Sequence, residues 1–162
     1  GGSYSLEYFI EPKVDGVSIS LHYKNGQLVE ALSRGDGKMG ESLIGHIREM
    51  SSIPKTIDYS SELLVRGEIF ITDSDFREIQ ASTQENQRQF ISSRNYVAGA
   101  LRLKETQLIS EKKLSFCGYQ VLFPDNNTSL AKQSDAIELL RSLHIPTHQK
   151  ELTLISSNMS EI

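Results

Sequence analysis

The chain has 162 residues, enough for one domain with a buried core, and its 17 Lys and Arg against 21 Asp and Glu leave a net charge of -4. That balance gives no support for autonomous, non-specific nucleic-acid binding, so any such contact must be local. The lone Cys117 excludes an internal disulfide, and neither a leader pattern nor an apolar run near the roughly 18 residues of a membrane span occurs, so a soluble, cytoplasmic protein with no membrane partner is expected.

Gly1-Gly2-Ser3 reads as a cloning remnant and is set apart from a domain over residues 4–162. Glu11-Pro12-Lys13-Val14-Asp15-Gly16 then sets a lysine between two carboxylates and ends on an Asp-Gly turn signal. A lysine amine has an ordinary pKa of about 10.4, so a nucleophilic lysine must be desolvated or placed near other cations. Taken alone, Lys-x-Asp-Gly is more often a solvated charge at a turn.

Val17, Ile19, Leu21 and Tyr23 alternate with polar residues, Asn25-Gly26 supplies a turn, and Leu28 to Leu32 returns, which predicts a hairpin within residues 8–33. His22 belongs on its polar face. Arg34-Gly35-Asp36-Gly37-Lys38-Met39-Gly40 is a glycine-rich loop that matches G-x-G-x-x-G only formally. A dinucleotide fingerprint opens from a buried parallel strand, whereas Leu28 to Leu32 is half polar. The alternative is a turn that aims Arg34 at an anion.

A helix is predicted over Glu41 to Met50, stopped by Ile53-Pro54. Leu63 to Ile71 reads as a strand interrupted by Arg66-Gly67-Glu68, a charged insertion that a purely structural strand disfavours. Thr72-Asp73-Ser74 offers an N-cap for a helix bearing Phe76, Ile79 and Thr83, before the polar run Gln84 to Gln89. A second helix spans Arg94 to Lys104 with Val97, Ala98 and Leu101 inward. Leu114 to Phe123 is a strand containing Cys117 as a buried thiol, Leu130 to Leu143 an amphipathic helix, and a further strand begins at Leu152. Helices inserted among strands without strict alternation predict an α+β fold with antiparallel sheets.

His22, His46, His144 and His148 are scattered without partners at ligand spacing, which argues against a structural zinc site, and no metal ligand is assigned. A Walker loop is excluded because neither Gly-Lys-Ser nor Gly-Lys-Thr occurs.

Taken in order, these segments resemble the adenylation (nucleotidyltransferase) domain of NAD-dependent DNA ligases, over about Glu11 to Leu154. Glu11 to Gly16 is similar to the family's lysine motif. Ser33 to Gly37 with Gly40-Glu41 is similar to its Thr-Arg-Gly-Asp-Gly loop, and Val65 to Ile69 to its central acidic strand. Ser93-Arg94-Asn95 with Ala98-Gly99-Ala100-Leu101-Arg102 resembles its Arg-Asn-x-x-Ala-Gly helix, and Leu114 to Tyr119 its aromatic strand. The helix separates this family from ATP-dependent ligases and capping enzymes, which share only the lysine and acidic motifs. Ser93 stands for a proline, Tyr96 and Val97 for alanines, and His46 for an asparagine.

The resemblance implies the nucleotidyltransferase (ATP-grasp-like) fold of DNA ligases, incomplete at the C-terminus because the second Asp-Gly motif and a later lysine motif would lie beyond Ile162. It implies that Lys13 takes AMP from NAD, expels nicotinamide mononucleotide, and passes the AMP to the 5′-phosphate of nicked double-stranded DNA in replication and repair. Asp15 would orient the amine or a Mg2+ ion. Glu11 would accept from the adenine amine, Glu68 from a ribose hydroxyl, and Tyr119 would stack on adenine, with Gly16 and Arg34 also in the cofactor site. Arg94 and Arg102 would hold phosphate of nucleotide or DNA. The remaining ligase domains are expected in cis, so this segment alone should seal no nicks. The competing reading is a truncated, non-catalytic paralogue that binds nucleotide or DNA.

Overall fold

The computed structural model describes residues 7–33, 40–83, 92–125, 128–148 and 154–156. Arg34, the rest of the glycine-rich segment to Met39, and the polar run Gln84 to Gln89 lie outside the described residues. Four strands form one antiparallel sheet: β2 (Val17–Lys24), β3 (Gln27–Ser33), β4 (Leu63–Phe70) and β5 (Ser115–Leu122), in the order β3-β2-β4-β5. A second, two-stranded sheet pairs β1 (Tyr8–Ile10) with β6 (Leu154–Ser156), also antiparallel. The α+β expectation with antiparallel sheets therefore holds. Because β3 is an edge strand running against β2, the Gly35–Gly40 segment does not open from a buried parallel strand.

The β2–β3 hairpin forms where alternation and turn chemistry agree. Asn25 and Gly26 both adopt positive φ (47° and 74°), as a two-residue turn that follows the strand twist requires. Ile19, Leu21 and Tyr23 of β2 enter the core with Val65 and Ile69 of β4. His22 stands on the opposite face and pairs with Glu62 at 2.5 Å. Tyr23 is fully buried, its hydroxyl donates to the Pro54 carbonyl at 2.7 Å, and burial pushes its ionisation well above the ordinary range.

Four α-helices occur among the described residues: α1 (Ile44–Arg48), α2 (Asp73–Ser82), α3 (Ser93–Ala100) and α4 (Gln133–Ser142), of which α1, α3 and α4 pack on the sheet. Ile47 of α1, Tyr96 and Val97 of α3, and Ile137 and Leu140 of α4 supply their buried faces. α2 begins at its expected cap, Thr72, whose hydroxyl accepts from the Asp75 N–H at 3.2 Å.

Three helices are shorter than their periodicity suggests, each because the terminal backbone groups have other partners. Leu43 donates its N–H to the Ala31 carbonyl at 2.7 Å and Ser42 bridges to Leu32, so residues 41–43 lie along the β3 edge and α1 starts later. In α3, Arg102 and Leu103 bond back to Gly99 and Ala100, tightening the last turn into i→i−3 spacing that ends the helix. For α4, the Asp135 carboxylate takes the Lys132 N–H at 3.2 Å and sets the start at Gln133. A 3₁₀ turn over Thr106–Glu111, which buries Ile109, has no counterpart in the sequence reading.

The Arg66-Gly67-Glu68 interruption does not break β4. Its register against β5 shifts between Arg66 and Gly67, a bulge that re-aims the flanking side chains. Glycine is required there, because a Cβ at position 67 would lie 2.4 Å from the Phe116 ring.

Candidate active site

Lys13 lies in the irregular segment between β1 and β2. This segment is pressed so closely on β4 that a Cβ on the buried Gly16 would stand 2.0 Å from the Ile69 carbonyl oxygen. Gly16 does not line the site; it lets the lysine-bearing backbone approach the sheet. Along β4, Val65, Gly67 and Ile69 turn to the core, so alternation places Glu68 on the other face. There it meets Ser18 of β2, its register partner, whose hydroxyl donates to Glu68 Oε2 at 2.8 Å. Tyr119 is the extra residue of the bulge on β5, and Arg94 projects from the first turn of α3, whose start is capped by the Ser92 hydroxyl accepting from the Asn95 N–H.

These elements enclose one cleft of about 590 Å³, and Glu11, Lys13, Asp15, Glu68, Arg94 and Tyr119 all line it. Pro12, Val14, Ser18, Gln120, Gln133 and His148 complete the wall. Lys13, Asp15 and Arg94 are exposed, whereas Glu11, Glu68 and Tyr119 are half-buried. Three carboxylates and two basic side chains thus share one wall. A nucleotide suits that mixture, since its base and sugar carry donors for carboxylates and its phosphates call for cations.

Glu11 has an unusual hydrogen-bond state. One oxygen, Oε2, accepts from Gln133 Nε2 at 3.4 Å, while Oε1 is out of solvent contact and has no partner among the described residues. A buried carboxylate oxygen without a donor carries a desolvation cost that a ligand donor would offset. Beneath the cleft, Cys117 is paired in register with Glu68. Burial pushes its thiol up to about 11, and the nearby Glu11 carboxylate adds to the shift, so it stays protonated at neutral pH.

A family model described as the NAD-dependent DNA ligase adenylation domain matches residues 2–162. The chain belongs to that family. Among similar adenylation-domain relatives, the DNA ligase of Mycoplasmopsis agalactiae is 40% identical over 144 residues, covering 89% of this chain and 21% of the relative. The DNA ligase of Malacoplasma penetrans is 37% identical across 90% of this chain and 20% of its own length. That of Metamycoplasma arthritidis is 35% identical across 94% of this chain and 24% of its own length. The chain therefore spans between 20% and 24% of these relatives.

Within this adenylation-domain segment, two of the expected positions that are described, Gly16 and Arg102, do not line the cleft. Arg102 is exposed beyond the C-terminal end of α3 and does not line the cleft, although Arg94 on the same helix does. Arg34 lies outside the described residues. His46 donates a ring N–H to the Leu103 carbonyl at 2.7 Å and ties α1 to the segment just after α3.

Sequence reading missed Ser18, Gln120, Gln133 and His148 as lining residues. Ser18 had a signal: on a strand whose alternate residues are core, it sits on the same face as the charge of the neighbouring strand. Gln133 had none, because it opens an ordinary amphipathic helix.

Among the described residues, no three of His, Cys, Asp and Glu converge as a metal cage. Magnesium that arrives with phosphates needs only one or two protein carboxylates, and Asp15 on the cleft wall fits that smaller requirement. Among the described residues, no helix is long and apolar enough to cross a membrane.

Proposed function

We propose that this cleft is where an NAD-dependent DNA ligase takes up AMP, with Lys13 as the residue that carries it. The observation that carries the reading is the convergence of Lys13, Glu11, Asp15, Glu68, Arg94 and Tyr119, from widely separated segments, on one cleft.

In the proposed step, the lone pair of Lys13 Nζ attacks the α-phosphorus of NAD and a P–N bond forms. The bond from that phosphorus to the bridging oxygen breaks, and nicotinamide mononucleotide leaves with the electron pair while the amine proton passes to solvent. Glu11 accepts from the adenine amine, Tyr119 offers its ring to the base, and Glu68, held by Ser18, accepts from a ribose hydroxyl. Arg94 serves phosphate, and the exposed Arg102, away from the cleft, suits the backbone of nicked duplex DNA. Magnesium, held in part by Asp15, would neutralise phosphate charge.

The AMP then passes to the 5′-phosphate of a nick, in the full-length protein and with its other domains in cis. On this reading residues 4–162 are part of an adenylation domain with the nucleotidyltransferase (ATP-grasp-like) fold of DNA ligases, residues 1–3 are a remnant, and the protein works in the cytoplasm in replication and repair.

The test is to incubate a full-length protein containing this chain with magnesium and adenine-labelled NAD or ATP, then locate any covalent label by peptide mass. A label on Lys13 from NAD, and none from ATP, is the expected result. Nucleotide held only non-covalently would favour the non-catalytic paralogue instead.

A further inference from the structure

We propose that Gln133 is a positioning residue that makes the cleft read a 6-amino purine, a role that rests on the nucleotide reading above. Its side chain lies between two groups that belong to the base end of the cleft. Gln133 Nε2 donates to Glu11 Oε2 at 3.4 Å and to the Tyr119 carbonyl, and these partners lie 122 and 14 residues before it in the chain. Both partners are acceptors, so the amide nitrogen must face them, and its two hydrogens are both committed.

The base of this side chain is well fixed. Gln133 is the first residue of α4, whose start is held by Asp135 on the Lys132 N–H at 3.2 Å and by the Lys132 ammonium on Glu7 at 2.9 Å. Ala136, Ile137 and Leu140 are buried behind it. A side chain on an anchored helix start loses less freedom on binding than one on a loop, so its contacts hold geometry rather than follow it.

The consequence falls on Glu11. With Oε2 occupied by an amide donor, the carboxylate is left with one buried, unpartnered oxygen, Oε1, which can only accept. An exocyclic amine supplies the missing donor. A 6-oxo group at the same place would set acceptor against acceptor and leave both desolvated, the situation in which hydrogen-bonding sites discriminate most strongly. The same amide tethers the backbone of Tyr119, so one side chain sets both the edge reader and the stacking ring.

The experiment compares formation of the lysine adduct from NAD and from nicotinamide hypoxanthine dinucleotide in the full-length protein, as wild type, Gln133→Met and Gln133→Glu. Methionine keeps the length without a donor; glutamate keeps the shape and replaces the donor with an acceptor. Both variants should lose roughly tenfold or more of the wild-type preference for NAD, mainly through a raised KM, with little change in thermal midpoint. A preference within about twofold of wild type in either folded variant overturns the role of Gln133 while leaving the proposed adenylation intact. Absence of an adduct from NAD in the wild-type protein overturns the adenylation reading itself.

Discussion

Lys13→Ala in the full-length protein should form no covalent nucleotide adduct, a loss of about 10³-fold or more in the first step, because the atom that makes the P–N bond is gone. Lys13→Arg should be equally inactive. It keeps the positive charge, but a guanidinium is never deprotonated in proteins and cannot offer a lone pair. The pair of variants therefore separates nucleophilicity from electrostatics. Non-covalent AMP binding, measured by calorimetry, should persist within a few-fold in Lys13→Arg, since Glu11, Glu68 and Tyr119 remain in the cleft. An adduct that survives in either variant would place the nucleophile elsewhere.

Gly16→Ala should be severely damaging for a single added methyl. The added Cβ would stand 2.0 Å from the Ile69 carbonyl oxygen and 2.9 Å from its carbon. Those are backbone atoms of a central strand, paired on both sides, and cannot swing away as a side-chain tip does. Relief must come from lifting the Lys13 segment off β4 or from bending β4. The expected cost is about 3 kcal/mol, the upper part of the range for overpacking, which in a domain of this size lowers the thermal midpoint by roughly 6–12 °C. If the lysine segment lifts instead, stability falls less but adduct formation is lost. Differential scanning calorimetry with the adduct assay distinguishes the two, and a variant unchanged in both would refute the close approach.

Where the sequence was legible, local and global preferences agreed. The β2–β3 hairpin is written in alternation and in Asn25-Gly26, and α2 in the cap at Thr72. Where it was not, a partner distant in sequence decided. Nothing near Leu43 announces that its N–H will be taken by Ala31, so a ten-residue helix was expected where only Ile44–Arg48 forms. Nor does any local signal announce the bulge on β5, which leaves Tyr119 without a register partner on β4.

The candidate site divides in the same way. Glu11, Lys13, Asp15, Glu68, Arg94 and Tyr119 stand in ordered motifs, so chemistry and resemblance reach them together. Gln133 meets its carboxylate partner across 122 residues, and glutamine at the start of a helix has no signature of its own. Gly16 was grouped with the cofactor residues from its motif, while its place in the fold assigns it to backbone packing.

The pairing of β1 with β6 has a kinetic consequence. The three-residue ribbon, in register from Tyr8↔Ser156 to Ile10↔Leu154, closes a chain loop that contains the entire four-stranded sheet. Contacts of such long separation form late, and a short two-stranded ribbon has little stability of its own. The segment bearing Glu11 and Lys13 runs from that ribbon into β2, so it is moored at one end early and at the other only when the ring shuts. In refolding followed by pulsed hydrogen exchange, amides of β2 and β4 should gain protection before those of β1 and β6; simultaneous protection would contradict this order. The nucleophile would then be among the last groups to reach its place, and local opening of the ribbon would slacken it while the main sheet stays folded.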